Sequence, residues 1–87
     1  MRNLTFTPEA WEEFEYWIEH QPETADKIRD LLKDCRRSPF SGLGKPEALK
    51  HHFAGCWSRR ISREHRLVYR VTEETLWIIS VRFHYKS

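Results

Sequence analysis

The sequence predicts a single α+β domain in which two helices pack on one face of a mostly antiparallel, twisted sheet. The prediction depends on a length of 87 residues, two amphipathic helical segments in the first half and several short β-rich segments in the second. One domain is expected at this length. A short strand, two helices and then successive strands favour antiparallel pairing with both helices on one side. A domain this small buries only about 60–65% of the surface of its unfolded chain, so we expect any functional site at the surface.

Capping residues and apolar periodicity predict the helices. After a first strand at 3–6, Thr7 and Pro8 provide an N-cap and a proline at the first helical position, so a helix is expected over 8–20. Apolar residues at helical spacing and a basic last turn predict a second helix over 23–37. The apolar stripe of the first helix comprises Trp11, Phe14 and Ile18, with Ala10 and Trp17 beside it. That of the second comprises Ala25, Ile28, Leu31, Leu32 and Cys35.

Four further strands are predicted after a loop at 39–46 that contains two prolines and two glycines. The strands are expected at 48–53, 56–61, 66–72 and 76–85. In the last strand, side-chain alternation places Trp77, Ile79, Val81 and Phe83 on the core face. Arg59 falls on the apolar side of its strand and is expected to reach an edge. The other sheet face then collects Arg60, Arg66, Arg70, Arg82 and His84.

Composition excludes several classes of protein. No apolar run approaches the roughly 18 residues that a membrane span requires, and residues 1–6 lead into a proline and glutamates rather than a signal-peptide core. A cytoplasmic protein is therefore expected. Two cysteines without metal-site spacing are expected to be reduced. Residues 1–41 hold six Lys or Arg and nine Asp or Glu, whereas residues 42–87 hold nine and four, so an anion is expected at the second half.

A histidine among arginines on an open sheet face is typical of a phosphate site, because arginine supplies fixed charge and histidine can transfer a proton. A solvated basic face without chemistry is equally compatible with the pattern. Glu47, between Lys45 and Lys50, is suited to act as a general base, or else as a salt-bridge partner in the loop. A metal site at His51 and His52 is not expected, because no third ligand stands at a suitable spacing. His65 is expected to be a hydrogen-bonded turn residue.

Several blocks of the chain resemble the Txe/YoeB family of toxin-antitoxin toxins. These blocks are 36–40 (RRSPF), 42–50 (GLGKPEALK), 55–61 (GCWSRRI), 65–69 (HRLVY) and 82–85 (RFHY). That family belongs to the RelE-like toxins, which have a microbial-ribonuclease-like α+β fold and cut messenger RNA on the ribosome. The resemblance therefore implies an endoribonuclease.

The roles of the family's catalytic residues can be carried over to the matching positions of this chain. The resemblance then implies that Glu47 is the general base and His84 the general acid. It also implies that Arg66 stabilises the phosphate and that Tyr85 completes the catalytic group. Further basic residues are expected to bind RNA phosphate, namely Lys45, Lys50, Arg60 and Arg82. No cofactor or metal is implied. Residues 86 and 87 extend beyond the usual end of the family and lie next to Tyr85.

The resemblance also implies partners. These are a cognate antitoxin similar to YefM or Axe with a disordered acidic C-terminal segment, the ribosome with its messenger RNA, and operator DNA only through the antitoxin. A homodimer is compatible with the family, and no membrane is involved. Two alternatives stay open: a basic RNA- or DNA-binding module that contacts phosphate without chemistry, and a domain that only binds another protein.

Overall fold

A computed structural model describes residues 1–83, which form one five-stranded mixed sheet with two helices. The elements are β1 (Asn3–Phe6), α1 (Pro8–His20), α2 (Pro22–Arg37), β2 (Glu47–Ala48), β3 (Cys56–Arg60), β4 (Arg66–Val71) and β5 (Thr75–Ser80). The strand order is β1-β5-β4-β3-β2, and within the described residues β1 runs parallel to β5 while the other pairs are antiparallel. The predicted α+β architecture is confirmed.

Both helices form where their caps and periodicity predict them. The side-chain oxygen of Thr7 accepts a hydrogen bond from the backbone N–H of Ala10 at 3.1 Å, which satisfies one of the unpaired donors of the first turn of α1. The apolar stripe of α1 is rotated from the prediction, because Trp11 and Ile18 are 46% and 41% exposed. The five predicted apolar residues of α2 are all buried. The α1 residues in the core are Ala10, Phe14 and Trp17. Neither helix is both long and apolar enough to cross a membrane.

A β-bulge in β5 changes which side chains face the core. Val68 of β4 pairs with Ser80 and its neighbour Tyr69 pairs with Ile78, so Ile79 is an extra residue without a partner. One extra residue exchanges the two faces of a strand. Ile78 is therefore buried, and the prediction that Trp77 faces the core is wrong, since Trp77 is 39% exposed.

Two predicted strands are shorter than expected. The strand expected at 48–53 is wrong beyond Ala48, because residues 51–53 form a 3₁₀ turn. The strand expected at 76–85 ends at Ser80, where the Glu13 carboxylate of α1 accepts hydrogen bonds from the Ser80 hydroxyl at 3.0 Å and the Val81 N–H at 2.9 Å. The carboxylate thus accepts the backbone hydrogen bond that a neighbouring strand would accept if β5 continued.

Candidate active site on the open sheet face

Three directly paired positions place Glu47 on the face of the sheet opposite the helices. Glu47 of β2 lies opposite Ser58 of β3, and Ser58 lies opposite Val68 of β4. Directly paired residues project to the same face of a sheet, and alternate residues project to the other. Leu67 and Tyr69, which flank Val68, belong to the core beneath the helices. Glu47, Ser58 and Val68 therefore share the face opposite the helices, which we call the open face; Ser58 and Val68 are buried there, whereas Glu47 at its edge is exposed.

Arg60 and Arg66 form the next cross-strand pair on the same face. They lie directly opposite each other, two residues along from Ser58 and Val68. The diagonal geometry of paired strands puts Arg60 about 7–8 Å from Glu47 at the level of the backbone, within reach of long side chains. Two like charges in opposite positions repel, so this pair favours a bound anion between them.

The guanidinium of Arg66 is held at the end of its strand by the preceding turn. Its Nη1 donates hydrogen bonds to the carbonyl oxygens of Ser62 at 2.8 Å and His65 at 3.2 Å. Two such contacts reduce the rotamer freedom that an arginine would lose on binding a phosphate. The position of this cation is therefore largely determined before any ligand binds.

The loop that leads to Glu47 is anchored by a buried arginine that the sequence pattern did not place. Arg59 is fully buried and its Nη1 donates to Asp34 of α2 at 2.6 Å, whereas it was expected to reach an edge. Its other nitrogen contacts are the carbonyl oxygens of Leu43, Ser38 and Ser41 and the hydroxyl of Tyr69. We call Asp34, Arg59 and Tyr69 the arginine anchor.

The arginine anchor and the adjacent backbone determine where Lys45 and Glu47 lie. Tyr69 donates from its hydroxyl to the carbonyl of Pro39 at 2.6 Å, and the N–H of Arg60 donates to the carbonyl of Gly44 at 2.6 Å. The loop is thus attached at both of its ends to β3 and β4. Lys45 follows Gly44 directly and is exposed, so it extends the basic surface beside Arg60.

Three groups in this region have shifted pKa values that favour the buried ion pair. The N–H of Leu43 and then the guanidinium of Arg59 lower the pKa of Asp34 below its ordinary 3.8. Burial opposes the charged form of Arg59, but hydrogen bonds to Tyr69 and Asp34 outweigh it and raise its pKa. Burial raises the pKa of Tyr69 to about 12. Asp34 and Arg59 therefore stay charged and Tyr69 stays neutral at physiological pH.

The remaining predicted site residues lie in several places. Lys50 is exposed just before the 3₁₀ turn. Arg82 was expected on the open face with Arg66, but its guanidinium carbon lies 3.6 Å from the ring centroid of Tyr16 on α1. This stacking on a helix residue contradicts the predicted face, because the chain bends after Ser80. His84 and Tyr85 lie outside the described residues, so their expected roles stay predictions.

The described residues contain no group of three His, Cys, Asp or Glu side chains placed to hold a metal ion. The two cysteines are free: Cys35 lies in the core and Cys56 is partly exposed. Burial raises the pKa of the Cys35 thiol, which disfavours the reactive thiolate. The cross-strand pair of Arg60 and Arg66 on the same face as Glu47 suits an anionic ligand.

Two contacts near the site were not predicted. The interaction of Asp34 with Arg59 had a signal in the sequence, since a charged residue on the apolar side of a strand needs a buried partner. The contact of Glu13 with Ser80 had none, because 67 residues separate the two positions. Such pairs arise only when distant segments pack together.

Comparison with known proteins identifies the family. Residues 6–85 match the family model of the YoeB-like toxin of bacterial type II toxin-antitoxin systems. Toxin YoeB of Escherichia coli strain K12 is 51% identical over 82 residues, which cover 94% of this chain and 98% of that protein.

Solved structures agree over almost the whole chain. The YoeB/ParE toxin from Agrobacterium tumefaciens superposes with a TM-score of 0.93 at 47% identity, covering 95% of this chain and 99% of the other. The YoeB dimer from Staphylococcus aureus gives a TM-score of 0.90 at 42% identity, over 97% and 98% of the two chains. The toxin in the heterotetrameric YoeB-YefM complex from the same organism gives 0.88 at 42% identity, over 98% and 99%. The chain therefore belongs to the YoeB-like toxins of bacterial type II toxin-antitoxin systems.

Proposed function

We propose that this toxin is a metal-independent endoribonuclease that cleaves messenger RNA on the ribosome and thereby inhibits translation. The observation that carries the proposal is the placement of one carboxylate, Glu47, on the same open face as the Arg60 and Arg66 pair. A carboxylate beside a bound phosphate can accept a proton from the attacking hydroxyl. Family membership supports the same activity.

The proposed reaction is an in-line transfer at phosphorus. Glu47 accepts the proton of a ribose 2′-hydroxyl, and the resulting oxygen attacks the adjacent phosphorus. The bond from phosphorus to the 5′-oxygen breaks, and His84 donates a proton to that oxygen. The products are a 2′,3′-cyclic phosphate, or a 3′-phosphate after hydrolysis, and a free 5′-hydroxyl. DNA lacks the nucleophile and is not a substrate.

In this mechanism Arg66 stabilises the negative charge that develops on the phosphate. Negative charge grows on the non-bridging oxygens as the attack proceeds, and a donor already held in place lowers that barrier most. The hydrogen bonds from Arg66 to the turn carbonyls hold it in this way. Arg60, Lys45 and Lys50 supply further positive charge along the path of the RNA, and Tyr85 completes the catalytic group.

The ribosome supplies what a small open surface lacks. An open sheet face contacts only a short stretch of RNA and cannot by itself align the 2′-hydroxyl with the phosphorus. Such alignment raises the effective concentration of the reacting groups by many orders of magnitude. Messenger RNA held in the ribosome is already constrained. We therefore place the action of the toxin in the cytoplasm, on translating ribosomes.

The proposed regulator is an antitoxin similar to YefM. The Staphylococcus aureus relative forms a heterotetrameric YoeB-YefM complex, and a dimer of the toxin alone is also known from that organism. For the present chain we propose the same antitoxin class, with an acidic C-terminal segment that orders on the basic open face, and a homodimer in its absence. Operator DNA is contacted only through the antitoxin.

The substitution Glu47→Gln tests catalysis against mere binding. It removes a negative charge from a basic surface, so ribosome and RNA binding should persist or strengthen while cleavage falls at least about 100-fold. Primer extension on translated messages measures cleavage, and ribosome co-sedimentation measures binding. Glu12→Gln, an exposed change on α1, is the matched control. If Glu47→Gln cleaved like the control, the toxin would be a binding module, or another group would be its base.

A further inference from the structure

The bulge in β5 turns Trp77 onto the open face. Trp77 lies opposite Arg70 of β4 and Thr5 of β1. Its chain neighbours Leu76 and Ile78 are fully buried in the core beneath the helices. Since successive residues of a strand project to opposite faces, Trp77 and its two cross-strand partners lie on the open face. Bulges of this kind often re-aim a side chain next to a functional site.

The indole of Trp77 is left uncovered by the described part of the chain. The other three tryptophans each contact a second aromatic ring, with centroids 4.8–5.5 Å apart. Among residues 1–83, no ring stacks on Trp77, no cation lies over it and its indole N–H donates to no group. The side chain is 39% exposed. An aromatic ring with an open face and a free N–H is suited to stack on a ligand.

The guanidinium of Arg70 is held on the side away from Trp77. Its Nη2 donates to the carbonyl of Ala54 at 3.2 Å, in the turn before β3. Gly55 permits this approach, because a Cβ there would lie 2.6 Å from the same nitrogen. An arginine has five N–H donors, so Arg70 keeps donors for a phosphate. The indole and the guanidinium therefore lie side by side on neighbouring strands, and neither blocks the other.

These two groups continue the surface of the proposed site. Arg70 lies four residues from Arg66 along β4, about 13 Å at the rise of a strand. Trp77 lies three strand spacings from Glu47, about 14 Å across the sheet. Arg60, Arg66 and Arg70 all lie on this face, which favours a polyanion. A single-stranded RNA offers both phosphates for the arginines and bases with open π-faces for the indole.

We propose that Trp77 and Arg70 form a second RNA subsite. An unpaired base of the messenger RNA stacks on the indole, and an adjoining phosphate binds the guanidinium, a few nucleotides from the cleaved bond. This inference rests on the proposed function and deepens it. Every base has a π-face, so the subsite holds the strand and does not select a codon.

The experiment removes the base and the indole separately and together. Ribosomes are loaded with messages that each carry one abasic nucleotide, at a different position on either side of the cleavage site. We expect the wild type to lose about 10-fold in kcat/KM when the abasic nucleotide occupies the subsite. Trp77→Leu should lose about 10-fold on the intact message and nothing further at that position. Trp77→Phe keeps a ring, so it should stay within a few-fold and remain sensitive to the missing base.

Trp11→Leu is the matched control. Trp11 is 46% exposed on α1, on the other side of the sheet, so its substitution should leave cleavage of every message unchanged. Thermal unfolding of each variant shows that it is folded. Arg70→Gln should lower kcat/KM on the intact message a few-fold, with a larger loss at low salt than at high salt.

Three outcomes would overturn the proposal. Trp77→Leu might cleave the intact message as well as Trp11→Leu does, which would leave the indole without a role. An equal loss for Trp77→Leu on every message, including the abasic ones, would assign the indole to a contact with the ribosome. A change only in antitoxin affinity or in dimer mass would assign it to a protein partner.

Two further readouts keep the result decisive. If Trp77→Leu does not fold, the wild type alone still tests the subsite, because the absence of an abasic effect at every position would refute it. Glu47→Gln in the same assay tests the proposed function separately. If Glu47→Gln cleaved like the wild type, the proposed function would fail; if only the abasic and Trp77 results failed, the second subsite alone would be wrong.

Discussion

Replacing Arg59 by methionine tests whether the arginine anchor holds the loop that carries Lys45 and Glu47. Methionine approximates the length of the arginine stem but removes its charge and all its donors. The five hydrogen bonds from Arg59 to Asp34, Tyr69 and the loop carbonyls are lost together. Asp34 is left without the guanidinium that helps to lower its pKa.

The expected cost follows from the burial of the two partners. Removing one member of a buried ion pair costs about 3–5 kcal/mol, because the other charge is left unpaired. The Asp34 side chain is 13% exposed and keeps the N–H of Leu43 as a donor, so water and that donor offset part of the loss. We therefore expect a loss of about 3 kcal/mol in the free energy of unfolding. For a domain of this size that lowers Tm by about 12–24 °C.

Urea denaturation followed by circular dichroism measures this cost, and Arg60→Met is the matched control. Arg60 is the next residue and is exposed, so its substitution should change the free energy of unfolding by no more than about 0.5 kcal/mol. If Arg59→Met does not fold, Arg59→Lys, which keeps the charge but fewer donors, should give an intermediate loss. A loss below about 1 kcal/mol for Arg59→Met, or one equal to that of Arg60→Met, would refute the role of the arginine anchor.

Three further predictions concern the conformation of the loop, the loss of folding stability at alkaline pH and the requirement for metals. Gly42→Ala should cost about 1–3 kcal/mol of unfolding free energy, because Gly42 has a φ of 115° and an added Cβ would collide with the Asp34 carboxylate; Ser41→Ala is the control in urea denaturation, and equal midpoints would contradict the strain. The pKa of Tyr69 is raised from 10.0 to about 12 in the folded protein, so its stabilising contribution is present below pH 10 and is lost as pH rises from 10 to 12. Urea midpoints between pH 9 and 11 should therefore fall more steeply for the wild type than for Tyr69→Phe, and parallel curves would count against this assignment. Cleavage of ribosome-bound messenger RNA should need no added zinc or manganese once the magnesium that the ribosome itself requires is supplied, and a strict requirement for either metal would contradict the proposed mechanism.

Local sequence signals were sufficient for the helices and for the basic character of the open face. Thr7 and Pro8 start α1 because capping and a preset φ act within one turn of the chain. Alternation correctly placed Arg60 and Arg66 on one face, since β3 and β4 pair without irregularity. The blocks around Glu47 and Arg66 were also enough to recognise the family. The assignment of His84 and Tyr85 to catalysis stays a prediction.

Only the tertiary structure decided which side chains of β5 face the core and that Arg59 is buried. The extra residue Ile79 depends on the pairing of β5 with β4, and no local signal marks it. Arg59 is stable in the core only because Asp34 of α2, 25 residues away, meets it there. Propensity and periodicity act over a few neighbouring residues, whereas strand register and buried charge pairs depend on segments that the fold brings together.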